Sequence, residues 1–251
     1  MNNNFRRRNK FMNKSRTVLV TGANQGIGFE TAKELGAMGF TVLLGARNSD
    51  RGKEAEETLV KEGIKAHFVL LDVTKQDTIN KAATFIENNY GSLDVLINNA
   101  GIAVEKGRQP SQLDTQDLKE TFETNFFGLF AVTKTMLPLL MKSTAGRIVN
   151  VSSGRGSFAN NIKPVDKSLN ALAYNSSKAA VNMLTLTFSK ELIETSIKIN
   201  SAAPGYTITA INDFKGHRTV QQAADIIVRL ATLDNDGPTG GFFDENGTVP
   251  W

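Results

Sequence analysis

Short apolar runs separated by helix-length segments constrain the fold of this chain more than any other feature. The runs are Thr17 to Val20, Thr41 to Gly45, Ala66 to Leu71, Leu93 to Ile97, Arg147 to Val151 and Ile197 to Ala202, with a weaker one at Gly241 to Phe243. They are too uniformly apolar for strands with one wet face, so a parallel sheet covered by helices on both sides is expected. This is the α/β class in its doubly wound, mostly parallel form. Right-handed crossovers then bring the loops after the strands to one edge of the sheet, where such folds bind ligands. Functional residues should therefore follow strand ends.

A single domain from residue 17 to residue 251 is expected, because no repeat and no Pro/Gly/Ser linker divides the chain. Hydrophobic residues make up 40% and charged residues 22%, enough apolar material for a large core under a polar surface. Residues 1–16 stand apart, with Arg6, Arg7 and Arg8 clustered near asparagines. They read as a poorly ordered basic tail and not as a contact for nucleic acid or lipid. The chain has no cysteine, which excludes disulfides and thiolate metal sites and suits a reducing compartment. No apolar run approaches the roughly 18 to 20 residues of a membrane span, and the tail lacks the apolar stretch of a secretory signal. A cytoplasmic location is expected, with neither membrane nor nucleic acid as partner.

Immediately after the first run comes Thr21-Gly22-Ala23-Asn24-Gln25-Gly26-Ile27-Gly28, followed by a helical pattern from Phe29 to Met38. Glycines between a strand and a helix tighten the turn and let backbone N–H groups approach a pyrophosphate, whose charge the helix start favours. The trio alone also fits a plain strand-to-helix turn; its context, strand before and helix after, points to a dinucleotide. The end of the second run selects which one. An acid there would accept hydrogen bonds from the adenosine ribose, whereas a base attracts a 2′-phosphate. The sequence is Gly45-Ala46-Arg47-Asn48, with no acid from Thr41 to Ser49, so Arg47, assisted by Asn24, points to NADP(H).

Tyr174 and Lys178 lie four apart in a helical segment from Tyr174 to Ile193 and so share a face near its start. An unperturbed tyrosine has a pKa of about 10, so proton delivery near neutral pH requires neighbouring positive charge, which Lys178 supplies. The least regular stretches, Gly154 to Leu172 and Thr207 to Thr219, each follow a strand and are candidates for the substrate rim. The only histidines, His67 in an apolar run and His217 in an irregular one, lack the partners of a zinc site or a His-centred triad, and no metal is expected.

Gly22, Gly26 and Gly28, Asp72-Val73, Asn98-Asn99-Ala100-Gly101, Asn125, Ser153, Tyr174-x-x-x-Lys178 and Pro204-Gly205 occur in this order. Together they resemble the short-chain dehydrogenase/reductase family from about Thr17 onward, and within it the NADPH-dependent carbonyl reductases. The resemblance implies a Rossmann-type sheet and NADP(H), with the hydride chemistry residing in the cofactor. It implies that Tyr174 is the general acid, that Tyr174 and Lys178 also bind the cofactor, Lys178 by a hydrogen bond to the nicotinamide ribose, and that Asn125 holds a water extending the proton relay. Ser153, with Ser152 as the lesser candidate, is implied to polarise the substrate carbonyl. Gly22, Asn24, Gln25, Gly26, Ile27 and Gly28 would cradle the phosphates. Asp72 would lie near the adenine with Val73 beside it, although a turn-capping Asp72 fits the sequence equally. Asn98, Ala100 and Gly101 would line the cofactor while Asn99 braces the sheet. Pro204, Gly205, Thr207 and Thr209 would form a loop over it, with Thr209 the preferred partner of the carboxamide.

Tyr174 follows Ser153 by 21 positions, more than is usual in the family, so an insert from Ala159 to Leu172 is expected as an extra loop or short helix beside the site. The insert and the ending Asp236-Gly237-Pro238-Thr239-Gly240-Gly241-Phe242-Phe243 resemble the monomeric carbonyl reductases, and a monomer is expected. The short loop after Gly205 suggests an open pocket for a small carbonyl substrate: an aldehyde, ketone or quinone. A 3-oxoacyl-carrier-protein reductase would share every catalytic residue but implies a tetramer and a basic patch for the carrier. A non-catalytic NADP(H)-binding regulator is disfavoured by the presence of both Tyr174 and Lys178.

Overall fold

A computed structural model describes residues 15–105, 107–162 and 171–251. Residues 1–14 of the basic segment and 163–170 of the expected insert lie outside the described residues. The apolar runs become β1 (Thr17–Thr21), β2 (Thr41–Ala46), β3 (Ala66–Leu70), β4 (Val95–Asn98), β5 (Arg147–Val151), β6 (Lys198–Ala202) and β7 (Phe242–Asp244). A further strand, β8 (Gly247–Thr248), is too short to register as a periodic run and pairs antiparallel with β7. The order is β3-β2-β1-β4-β5-β6-β7-β8, and the ladders from β3 to β7 are parallel. The chain winds outward from β1, returns at β4 and winds the other way, which opens a crevice between the loops after β1 and β4.

The helices are α1 (Gly26–Ala37), α2 (Ser49–Lys61), α3 (Gln76–Tyr90), α4 (Thr115–Phe122), α5 (Leu129–Leu140), α6 (Phe158–Ile162), α7 (Leu172–Glu191) and α8 (Val220–Ala231). Successive strand residues face opposite sides of the sheet. Val18, Val20, Val42, Leu44, Val95 and Ile97 meet Leu35 of α1, Leu59 of α2 and Ile226 and Leu230 of α8. Leu19, Leu43, Leu96 and Ile148 meet Ile79 and Ile86 of α3 and Val132 and Met136 of α5. Burial of both faces is why these strands read as continuous apolar runs. The edge strand β3 departs from that expectation, since His67 and Leu70 are exposed. His67 stands 3.8 Å from Glu56 on a wet face and not in an apolar interior. Among the described residues no helix is long and apolar enough to cross a membrane.

Two buried polar features tie the second half of the sheet together. Arg147, at the start of β5, is fully buried and donates to the carbonyls of Leu233, Gly146 and Ser196 at 2.8, 2.7 and 3.2 Å and to Asn235 Oδ1 at 2.9 Å. Burial lowers its pKa, and the acceptors from three segments compensate for lost water. Beneath α7, the Asn98 amide donates to Thr133 and Asn150, Asn150 donates to Thr185, and the Ser201 hydroxyl donates to Thr185, all at 2.8 to 2.9 Å. This row links β4, β5 and β6 to α7, the helix that carries Tyr174 and Lys178.

Candidate active site

The loops after β1 and β4 are stitched together at the crevice. Thr21 Oγ1 accepts from the N–H groups of Asn99 and Ala100 at 2.9 and 3.0 Å, and the Asn99 amide donates to the carbonyls of Thr21 and Gly22 at 2.9 and 3.1 Å. This close approach requires glycine at position 28, where a Cβ would stand 2.4 Å from Asn99 Nδ2 and 2.5 Å from Gly22 O. Gly26 has φ +61°, and the space where its Cβ would project is open except for Thr209 Cγ2 at 3.7 Å. Helix α1 therefore begins at the glycines, three residues before the expected Phe29. Its N-cap, Gln25, makes no side-chain capping bond and its first turn holds no acid, leaving N–H groups directed at the crevice for an anion from outside the chain.

Arg47 leaves β2 at the same edge, exposed and without a salt bridge to the described residues. Asp72 Oδ1 accepts from the Thr74 N–H and hydroxyl at 3.0 and 2.8 Å, the turn-capping arrangement. Val73 is buried, and its carbonyl would lie 2.8 Å from a Cβ at Gly128. After β6, Pro204 and Gly205 lead into a loop closed by a bridge between Thr207 and Arg218, with Arg218 paired to Glu245 beside β7 and β8. Thr207 is buried and its hydroxyl donates to Gly205 O at 3.2 Å, whereas Thr209 is the residue of this loop that faces the glycine cradle.

At the end of β5, Ser153 Oγ accepts from the Arg155 N–H at 3.2 Å, and the Ser153 hydroxyl stands close enough to that of Tyr174 to lower its pKa. Burial raises the Tyr174 pKa, while the Ser153 hydroxyl and the Arg155 charge pull it back down. Lys178, one turn along α7, is 3% exposed, donates from Nζ to the Val151 carbonyl at 2.7 Å and lies 5.7 Å from the Tyr174 ring centre. Without a carboxylate partner among the described residues, it is shifted by burial to about 8. The two serines divide in role of contact: Ser152 is buried and its hydroxyl donates to the Lys178 carbonyl at 3.3 Å, away from Tyr174.

Asn125 lies in a π-helical turn, Glu123–Gly128, between α4 and α5 and is fully buried. Its amide accepts from Ile102 N at 2.8 Å and donates to Ile102 O and Ser177 Oγ at 2.9 and 3.0 Å. A Cβ on Gly101 would meet Asn125 Oδ1 at 3.4 Å and Lys178 Nζ at 3.5 Å, so Gly101 sits between them. Ser153, Tyr174 and Lys178 thus converge, with Asn125 one layer behind and its side chain engaged by the protein.

Asn98 does not extend its side chain toward the crevice; that amide belongs to the buried row under α7, so only its backbone remains for lining a cofactor. Strand alternation carries the signal, because Asn98 shares the face of Leu96. Glu105 and Ser177 escaped sequence reasoning. Glu105 is buried in the loop after β4, and its carboxylate accepts from the N–H groups of Ala173 and Tyr174. At the start of the expected insert stands the short helix α6, held where Asn161 donates to the Arg155 and Ser157 carbonyls at 2.8 and 2.6 Å; residues 163–170 of the insert lie outside the described residues. Among the described residues no three His, Cys, Asp or Glu side chains gather as a metal site.

The chain belongs to the short-chain dehydrogenase family, whose model, described as "short chain dehydrogenase", matches residues 16–219. It is 32% identical to salutaridine reductase of Papaver bracteatum across 92% of this chain and 94% of that protein. It is 35% identical to the 3-oxoacyl-[acyl-carrier-protein] reductase of Aquifex aeolicus across 78% of this chain and 75% of that protein. The structure matches the NADPH-bound carbonyl reductase from chicken fatty liver with a TM-score of 0.83 and 28% identity, covering 95% of this chain and 100% of that one. The family is one of oxidoreductases.

Proposed function

We propose that this protein reduces a small carbonyl compound to its alcohol with NADPH, using Tyr174 as general acid. The observation that carries the reading is the convergence of Ser153, Tyr174 and Lys178 beside an anion-accepting glycine cradle. The residues present fit the cofactor: Gly26 leaves room for a pyrophosphate, Gly28 lets the loops after β1 and β4 close up behind it, Arg47 is free for a 2′-phosphate, and Thr209 borders the cradle. Bound NADPH would supply the hydride.

The protein's part is position and proton supply. Ser153 and Tyr174 would both hydrogen-bond the substrate oxygen, stabilising the negative charge that develops there. Tyr174, kept protonated by its raised pKa, gives up its proton once that oxygen becomes basic. Lys178 would bind the nicotinamide ribose and, when charged, stabilise the phenolate left behind. Asn125 would hold a water by its backbone, because its side chain is already bonded within the protein. Asp72 and Val73 would border the adenine, with the backbone of Asn98, Ala100, Gly101, Pro204, Gly205 and Thr207 completing the wall.

Aldehydes, ketones or quinones are the proposed substrates, in the cytoplasm, with the protein as a monomer. A 3-oxoacyl thioester on a carrier protein is the second reading, favoured by the carrier-protein reductase resemblance but covering less of each chain. NADPH oxidation measured against a panel of carbonyls plus an acetoacetyl thioester separates them. Turnover spread over simple carbonyls supports the proposal, and a strong preference for the thioester overturns it.

A further inference from the structure

Helix α7 lacks the means to cap its own start. Its N-cap residue is Ala171, which makes no side-chain capping bond, and its first turn contains no acidic residue. A helix leaves its first N–H groups without intrahelical partners, and buried donors of this kind must find an acceptor elsewhere. The acceptor here is Glu105, 68 to 69 positions earlier in the chain, whose side chain is almost wholly buried. Glu105 Oε2 accepts from Ala173 N and Oε1 from Tyr174 N, both at 2.9 Å. A carboxylate at the positive end of a helix also gains from the helix dipole.

We infer that Glu105 is a positioning residue for the reaction: it holds the first turn of α7 and thereby aims the Tyr174 hydroxyl at Ser153. The inference rests on the reading of Tyr174 as proton donor. Glu105 binds the backbone of Tyr174 itself, whereas Lys178 is anchored independently, through Nζ to Val151 O and through its carbonyl to the Ser152 hydroxyl. Loosening the first turn therefore displaces Tyr174 while leaving Lys178 and the cofactor contacts in place. The loop bearing Glu105 is anchored in turn, because the Glu105 carbonyl accepts from Arg108 N and Nε at 2.9 and 3.2 Å and Arg108 pairs with Asp117 of α4. Two elements, the loop after β4 and the end of β5, thus grip the start of α7 from different sides.

The anchoring pattern predicts a split between turnover and cofactor binding. Glu105→Ala removes both acceptors; Glu105→Gln keeps the shape and one acceptor oxygen, and guards against a variant that fails to fold. Displacing a reacting group by about 1 Å can cost on the order of 100-fold, so kcat should fall at least about tenfold in Glu105→Ala and less in Glu105→Gln. NADPH Kd, read by fluorescence titration of the whole chain, should stay within about threefold in both, since the mutated contact lies outside the cofactor site. In a Tyr174→Phe background, Glu105→Ala should cause no further loss of residual turnover, because the group it aims is already gone.

An unchanged kcat, a parallel loss of NADPH affinity, or a full additional loss in the Tyr174→Phe background would each overturn the inference and leave Glu105 a general stabilising cap. Full activity of Tyr174→Phe alone would remove the proton-donor reading, and this inference with it. Loss of activity in Tyr174→Phe with none in the Glu105 variants would remove only the role of Glu105.

Discussion

Burial acts in opposite directions on the two titratable groups that face each other at the start of α7. It raises the Tyr174 pKa and lowers that of Lys178 to about 8, so both are biased toward their neutral forms before any ligand arrives. A phenol in that state holds its proton until a more basic oxygen is placed against it, which suits an acid and not a nucleophile. Arg47 contrasts with them, exposed on the rim and free of salt bridges to the described residues, available for a phosphate at little structural cost. Charge-assisted contacts contribute roughly 1.5 to 3 kcal/mol, so Arg47→Asp should lower the preference for NADPH over NADH by at least about tenfold while NADH-supported turnover survives. Equal loss with both cofactors would make Arg47 a structural residue. The placement of Arg47 after β2 and of Tyr174 and Lys178 one turn apart on α7 was legible in the sequence because those signals are local: one position after a strand, one helical spacing. Glu105 was not, because the donors it satisfies belong to a helix that begins 67 positions later.

At the scale of elements, the apolar runs located the strands to within a residue or two, since burial on both faces writes itself directly into composition. Where that physics weakens the pattern does too: β3 is half wet, and β8 is only a two-residue pairing. Glycine reads as turn, so the sequence places the start of α1 at Phe29, whereas the helix begins at Gly26, itself still left-handed, and takes in Ile27 and Gly28. The packing of α1 against α8 contains an electrostatic strain no pattern shows. Glu34 of α1 is raised to about 7, first by burial and then by the charges of Asp225 of α8 and Glu30. The folded state therefore binds a proton that the unfolded state, with an ordinary value of 4.5, releases. This contribution favours folding as pH falls through about 7 toward 4.5 and is lost as pH rises past 7. Glu34→Gln should raise Tm at pH 8 by roughly 2 °C or more and have a smaller effect at pH 5, as measured by thermal melts at both pH values. A gain of the same size at both would show that Glu34 is not titrating in this window.

At the scale of the whole molecule, the proposed monomer is set against an apolar groove that the described residues leave exposed. Phe126, Phe130, Ala180, Met183, Leu184 and Phe188 line that groove between α5 and α7, and Met183 is 63% exposed. The described part of the insert meets the first turn of α7, where Asn175 donates to Asn161, and none of its described residues lines the groove. Burying such a patch would favour association of copies, whereas the proposed monomer relies on the insert obstructing the approach. Light scattering with size exclusion at micromolar concentration should give a mass near 27.3 kDa if the insert prevails; a multiple of that mass contradicts it. Catalysis does not depend on association, because Ser153, Tyr174, Lys178 and the glycine cradle all come from one chain. The most direct test of the proposed mechanism compares NADPH oxidation by the wild type and by Tyr174→Phe with the best carbonyl of the panel. A proton donor of this type contributes about 10² to 10⁴ in rate, so the account predicts a loss of that size with NADPH binding nearly intact. A loss of less than tenfold would contradict it and assign the proton to another group.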